Sequence, residues 1–167
     1  RGVAQAATGK PRAAEVERAA FASARQQVPA DAVYGDTGLN SAHAVLDLAS
    51  LILDARIARS KGDLSTAVAH LRKAVEAQDG LAYDEPPTWF YPVRESLGAT
   101  LLLKKRYAEA EEVFRADLQH NPRNGRSLFG LLESLTRQGR AADASWVRRQ
   151  FETAWQNAES PLRIEDL

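Results

Sequence analysis

Cysteine is absent from the 167-residue chain, so disulfide frameworks, thiolate zinc sites and cysteine nucleophiles are excluded. Glycine and proline are scarce, at 10 and 7 residues, whereas alanine occurs 30 times. Alanine has the highest helix propensity, and strand-rich sandwiches need many more turn residues than this. The composition therefore predicts an all-α fold.

An excess of charge of either sign is also missing, because 22 Lys and Arg balance 22 Asp and Glu. A nucleic-acid-binding protein usually carries a basic excess, so we expect no nucleic acid partner. No uncharged stretch approaches the roughly 18 apolar residues of a membrane-spanning helix. We expect a soluble protein with no membrane insertion, cytoplasmic or periplasmic. Because methionine is absent too, we expect a processed form or a part of a longer protein.

Three similar turns, at 61–63, 104–106 and 138–140, indicate an internal repeat. Four residues after each turn comes an alanine that opens an amphipathic run: Ala67, Ala110 and Ala144. The last two alanines are 34 residues apart and the first two 43 apart, which is 34 plus a nine-residue insertion. A 34-residue period of helix, turn and helix is typical of one helical repeat.

The segment 91–124 resembles the tetratricopeptide repeat (TPR), through Leu97-Gly98, Ala110, Phe114 and Pro122. Two further segments, 48–81 and 125–158, resemble it with more departures. The resemblance implies a right-handed α-solenoid over residues 48–158, with an insertion at 82–90. The insertion sequence is also similar to one in a broad group of bacterial repeat proteins.

Outside the repeats, apolar spacing predicts a helix over Glu15–Gln27, within an N-terminal region 13–47. Phe21, Ala24 and Pro29 resemble the closing half of a degenerate repeat. Residues 30–40 are rich in Gly and Asp and predict a loop, after which Asn40 or Ser41 caps a helix that continues to about residue 60. We expect seven helices in all, and a C-terminal tail over 159–167. Residues 1–12, and 161–167 within the tail, should be disordered.

Catalytic patterns are weak. The three histidines, His43, His70 and His120, lack the paired spacing of a helical zinc site. No phosphate-binding glycine loop and no nucleophile elbow occur. We therefore predict a protein that is not an enzyme and has no metal and no cofactor.

The insertion is aromatic, acidic and proline-rich. One interpretation is a rigid loop that presents Tyr83, Trp89 and Tyr91 beside Asp84 and Glu85 to a basic peptide. The other is that the rings fill the gap that the insertion opens between helices. We expect the insertion to fold over the concave groove, with its carboxylates near the groove arginines.

The TPR resemblance implies that the first helix of each repeat lines this groove. The residues carried over to it are Arg56, Arg59, Glu95, Arg126, Phe129 and Glu133. The Lys and Asn clamp of the chaperone-binding members is missing. The arginines could bind a carboxylate, or be solvated or paired with Asp54, Glu95 and Glu133.

Together these features predict a non-catalytic interaction module that docks a peptide or protein in its groove. The alternative is a structural cap or oligomerisation domain of a longer protein. That cap would pack on the rest of the chain or on a second copy, as a homo-oligomer, with its groove occupied internally.

Overall fold

The computed structural model describes residues 1–167 and is all-helical, with eight α-helices. They are α1 (Gly2–Ala7), α2 (Pro11–Arg25), α3 (Ala42–Ser60), α4 (Leu64–Asp79), α5 (Val93–Leu103), α6 (Tyr107–His120), α7 (Gly125–Arg137) and α8 (Ala141–Trp155). Two short strands, β1 (Val33–Tyr34) and β2 (Asn40–Ser41), pair antiparallel. A single 3₁₀ turn, Ile164–Asp166, lies near the end. The all-α prediction is confirmed.

The chain divides into two compact units, Arg1–Val93 and Arg94–Leu167. The first contains helices α1 to α4 and the second α5 to α8, α5 beginning at the boundary. This division differs from the expected one, which separated residues 13–47 from the repeats. The reason is that α3 packs on α1, α2 and α4, so the upstream helices share its core.

One type of turn closes all four helical hairpins. Its central residue has a positive φ of 60° to 80° and is Gly9, Gly62, Lys105 or Gly139. The next residue donates its backbone N–H to the carbonyl five positions back, at 2.9 to 3.1 Å. This bond satisfies a carbonyl that the helix end would leave without a donor. The three predicted turns are confirmed, and the turn at Gly9 adds an eighth helix to the expected seven.

Counted from these turns, every hairpin has the same buried alanine. The alanines are Ala14, Ala67, Ala110 and Ala144, none more than 6% exposed. Twelve positions before Ala14 lies Gly2, where an added Cβ would be 2.8 Å from Leu53 Cδ1. A side chain there would push α1 off α3. The small residues therefore mark the places where helices cross closely.

This register corrects two expectations for the N-terminal region. Residues 1–12, expected to be disordered, contain α1 and its turn. The buried alanine that recurs in every hairpin is Ala14 here, and the register that it sets differs from the one expected from Phe21, Ala24 and Pro29. Six residues of α1 are too few to show a helical period, whereas packing on Leu53 and Ile57 stabilises the helix.

Phe114 forms the centre of the second unit. It is fully buried, between α5 and α7. A Cβ added at Gly98 would lie 2.5 Å from its ring, and one at Gly130 would lie 2.1 Å from it. The two glycines therefore provide the space that the ring fills.

A long connection joins α2 to α3 in the first unit. It holds the β1–β2 ribbon, so the predicted loop is partly strand. Ser41 Oγ accepts a hydrogen bond from the Ala44 N–H at 3.1 Å, so Ser41 and not Asn40 is the one of the two predicted residues that caps α3. An Arg18–Asp54 pair at 3.3 Å links α2 to α3 directly.

Candidate functional site

In the second unit, the C-terminal segment lies against helices α5 and α7. Ser96 Oγ donates a hydrogen bond to a main-chain oxygen of Leu167 at 3.3 Å, and the Arg126 guanidinium donates to the Asp166 carbonyl. The Leu167 side chain is 1% exposed. The tail was expected to be disordered, and that expectation is corrected. Sequence patterns miss these contacts because only tertiary packing brings together residues that are 71 and 40 positions apart.

Arg126 is held in place by a buried polar network. Glu95, 3% exposed, accepts from Arg126 Nε at 2.6 Å and from Asn124 Nδ2 at 2.8 Å. Asn124 also donates to Asp117, which accepts from Ser127 Oγ at 2.5 Å. Buried carboxylates are stable only with such donors. Of the alternatives left open for the groove arginines, Arg126 takes the pairing with Glu95, which leaves one guanidinium nitrogen directed at the tail.

Sequence reasoning missed Asp117, Asn124, Ser127 and Ser96 as parts of this site. One signal was available: Asn124 precedes α7, and its side chain caps the helix by accepting from the Arg126 N–H at 3.1 Å. That cap position also places its amide beside Glu95.

The two other groove residues predicted on α7 have different roles. Phe129 is half-buried, with its ring centroid 5.7 Å from that of Phe151 on α8. Glu133 accepts from Arg137 Nη2 at 3.2 Å, one turn along the same helix. The structure therefore brings Glu95 and Arg126 to the tail, while Phe129 packs between helices.

A second buried carboxylate links α6 to the α7–α8 turn. Glu111, 8% exposed, accepts from Arg115 at 2.8 Å, from Gln138 at 2.9 Å and from Arg140 at 2.7 Å. Burial raises the pKa of Glu111, but the hydrogen bonds from Gln138, Arg115 and Arg140 outweigh it and hold the pKa below its ordinary value. Its position between helices indicates a stabilising role.

In the first unit, the insertion docks on the β1–β2 ribbon. The buried Asn40 donates to the Ala82 carbonyl at 3.1 Å and to Thr88 Oγ1 at 3.0 Å, and accepts from the Ala82 N–H at 2.8 Å. Thr37 Oγ1 donates to Asp84 Oδ2 at 2.8 Å. The two long connections of this unit therefore form one hydrogen-bonded assembly.

The rings of the insertion divide between interior and surface. Trp89 and Tyr91 are half-buried and line an apolar cavity of about 320 Å³ with Phe21, Ile52 and Leu53. Tyr83, in contrast, is 79% exposed. Trp89 and Tyr91 are therefore partly buried, as the gap-filling interpretation expects, whereas Tyr83 lies at the surface.

The insertion carboxylates do not take the partners we expected. Asp84 bonds with Thr37, and Glu85 accepts from the Tyr83 hydroxyl, a hydrogen bond that raises the pKa of Tyr83. The expectation that they pair with groove arginines is wrong, because ribbon and loop partners lie closer along the fold. Tyr83 and Glu85 are both exposed on the surface of this unit.

Arg56 and Arg59 are half-buried on α3 of the first unit. Asp54, one of their predicted partners, accepts from Arg18 of α2.

No group of three or more His, Cys, Asp or Glu side chains is arranged to hold a metal ion. His43 Nε2 lies 3.1 Å from the Val28 carbonyl, a contact that ties α3 to the connection before it.

None of the helices has the length and apolar character needed to cross a membrane. No protein-family model, curated protein or solved structure matches the chain.

Proposed function

We propose that the chain is a non-catalytic protein-interaction module of TPR-type hairpins, whose second unit binds a short peptide segment on the face of α5 and α7. The observation that carries this proposal is the docked C-terminal segment. It presents two main-chain oxygens to Ser96 and Arg126 and buries Leu167. A face that holds one peptide segment in this way has the chemistry to hold another.

Assignment to the TPR type and to a right-handed solenoid is supported by the recurring hairpin. The same positive-φ turn and the same buried alanine recur in each hairpin. In the second unit the period is 34 residues, and Phe114 packs on Gly98 as the repeat pattern predicts.

The contacts also define what the bound segment must be. Hydrogen bonds to main-chain oxygens fix the backbone whatever its sequence, so Ser96 and Arg126 select a segment that forms a turn like Ile164–Asp166. The buried site of Leu167 adds a preference for a branched aliphatic side chain. We therefore expect ligands in which such a residue follows a short 3₁₀ turn.

A labelled peptide with the sequence of residues 159–167 tests the proposal. Added to the intact chain, it competes with the chain's own tail, which is present at a high effective concentration. In Leu167→Asp the tail loses its buried anchor, so we expect the labelled peptide to bind about tenfold more tightly by fluorescence anisotropy. Pro161→Ala, an exposed change in the same segment, is the matched control.

Two further variants locate the site. In the Leu167→Asp background, Ser96→Ala and Arg126→Ala should each weaken the peptide, whereas Arg137→Ala on α7 should not. Binding that is equal in all variants, or absent from Leu167→Asp, would contradict the proposal.

The same docked tail favours one alternative, a structural cap whose groove is occupied internally. In that case Leu167→Asp would lower stability without creating a site for the added peptide. The anisotropy experiment therefore separates the two functions.

A further inference from the structure

A second surface of the second unit combines arginines that lack acidic partners with an exposed aromatic ring. A groove of about 590 Å³ runs along α8 and is lined by Arg123, Leu128, Trp146, Arg149, Gln150, Thr153 and Ala154. Its volume is in the range of ligand-binding clefts. It shares no residue with the contacts that hold the tail.

Helix geometry accounts for the wall formed by α8. Trp146, Arg149, Gln150 and Thr153 are spaced at i, i+3, i+4 and i+7, which puts them on one face. That face is exposed, and Trp146 keeps 52% of its surface in solvent. The opposite face of α8 carries the buried Ala144 and Val147.

The charged side chains that line the groove are all positive. Six other arginines of this unit form ion pairs with carboxylates: Arg106, Arg115, Arg126, Arg137, Arg140 and Arg163. Arg149 instead donates only to Ser145 Oγ, at 3.5 Å, and neither Arg149 nor Arg123 contacts a carboxylate. No Asp or Glu lines the groove.

Arg123 occupies its position at a conformational cost. It lies in the turn between α6 and α7 with φ of +65°, a region that side chains other than Gly, Asn and Asp seldom adopt. The turn thereby places a second guanidinium at the groove lined by Arg149 and Trp146.

We propose that this groove binds an acidic peptide segment of a partner protein. Carboxylates of the segment pair with Arg123 and Arg149, since a guanidinium binds a carboxylate through two parallel hydrogen bonds. An apolar side chain of the segment lies on the Trp146 ring and on the floor formed by Leu128 and Ala154. The proposal goes beyond the tail-binding face, and failure of either leaves the other standing.

The probe is a labelled, acetylated six-residue peptide of alternating glutamate and leucine, added to the full chain. The expected result is saturable binding by fluorescence anisotropy, with none for the same peptide carrying lysine in place of glutamate. Arg149→Glu and Arg123→Glu should each weaken binding about tenfold or more, because each loses a charge-assisted pair. Trp146→Ala should weaken it less.

Arg148→Glu is the matched control. Arg148 is an exposed arginine on the same helix, one residue away, and does not line the groove. Equal loss in Arg148→Glu would mean general charge attraction and would overturn the proposal. Complete displacement of the peptide by millimolar inorganic phosphate would also overturn it, since the groove would then take a small anion. Unchanged helical circular dichroism in every variant ensures that lost binding reports the site.

Discussion

The two units use the same helical hairpin but join their hairpins differently. In the second unit α6 is followed by α7 after residues 121–124, whereas in the first unit residues 26–41 separate α2 from α3. The short connection keeps the 34-residue period visible, and the long one hides the repetition of the α1–α2 hairpin. The same helical hairpin can therefore recur in three dimensions where connections of unequal length leave no regular period in the sequence.

The difference extends to the polar chemistry of the units. The long connections of the first unit contain backbone N–H and carbonyl groups that no helix pairs. The Asn40 side chain forms hydrogen bonds with two of these groups, the N–H and the carbonyl of Ala82 in the insertion. The second unit has little such backbone, and its buried carboxylates Glu95, Glu111 and Asp117 bind between helices instead. The first unit thus stabilises loops with an amide, and the second links helices with acids.

The largest effect is expected where the second unit has its central ring. Phe114→Ala should lower the free energy of unfolding by about 3 to 5 kcal/mol, because a fully buried ring leaves a cavity. Phe90→Ala in the first unit, where the ring is 82% exposed, should change it by less than about 0.5 kcal/mol. Urea unfolding followed by circular dichroism measures both, and equal losses would contradict the assigned core.

The second prediction replaces the glycine and phenylalanine that pack together in the second unit with residues like those of the first unit. Gly98→Ala should destabilise by about 1 to 3 kcal/mol, because its Cβ would overlap the Phe114 ring. The first unit has Ala55 and Leu71 at the corresponding positions, both buried. Adding Phe114→Leu to Gly98→Ala should therefore cost less than the two single changes together. Additive losses in the double-mutant cycle would contradict the equivalence of the hairpins.

The amide that joins the loops of the first unit provides a smaller, local effect. Asn40→Ala leaves the Ala82 N–H and carbonyl without their partner and should cost about 1 to 3 kcal/mol. Hydrogen exchange should quicken in 82–92 more than in α6 and α7. Asn157→Ala, an exposed change in the other unit, is the control. Uniform exchange throughout the chain would show that the insertion does not open on its own.

The smallest effect is a pH dependence carried by Glu111. Its pKa is lower in the folded chain than its ordinary value of 4.5, so the stability it provides is present above that pH and is lost as pH falls through the folded pKa. The free energy of unfolding should therefore fall less steeply below about pH 4.5 in Glu111→Gln than in the unchanged chain. Glu112→Gln, an exposed neighbour, should retain the steeper fall. Identical slopes in both variants would argue against the assigned role of Glu111.

Local signals predicted much of the fold. The three repeat turns, the Ser41 cap and the helix from it to Ser60 agree with the structure because each depends on residues a few positions apart. For Arg126 the sequence left several alternatives open, and the structure decides for the pairing with Glu95. The short helix α1 could not, since it depends on packing against α3.

By itself, then, the sequence determined the all-α class and the hairpins around Ala67, Ala110 and Ala144. Periodicity and backbone sterics act within one or two helices, so they can be read from neighbouring residues. Only the tertiary structure decided that Asn40 joins two loops, that Leu167 is buried beside Ser96, and that Arg123 lines a groove with Arg149. These contacts join residues 26 to 71 positions apart, and their formation depends on helix packing that no local pattern encodes.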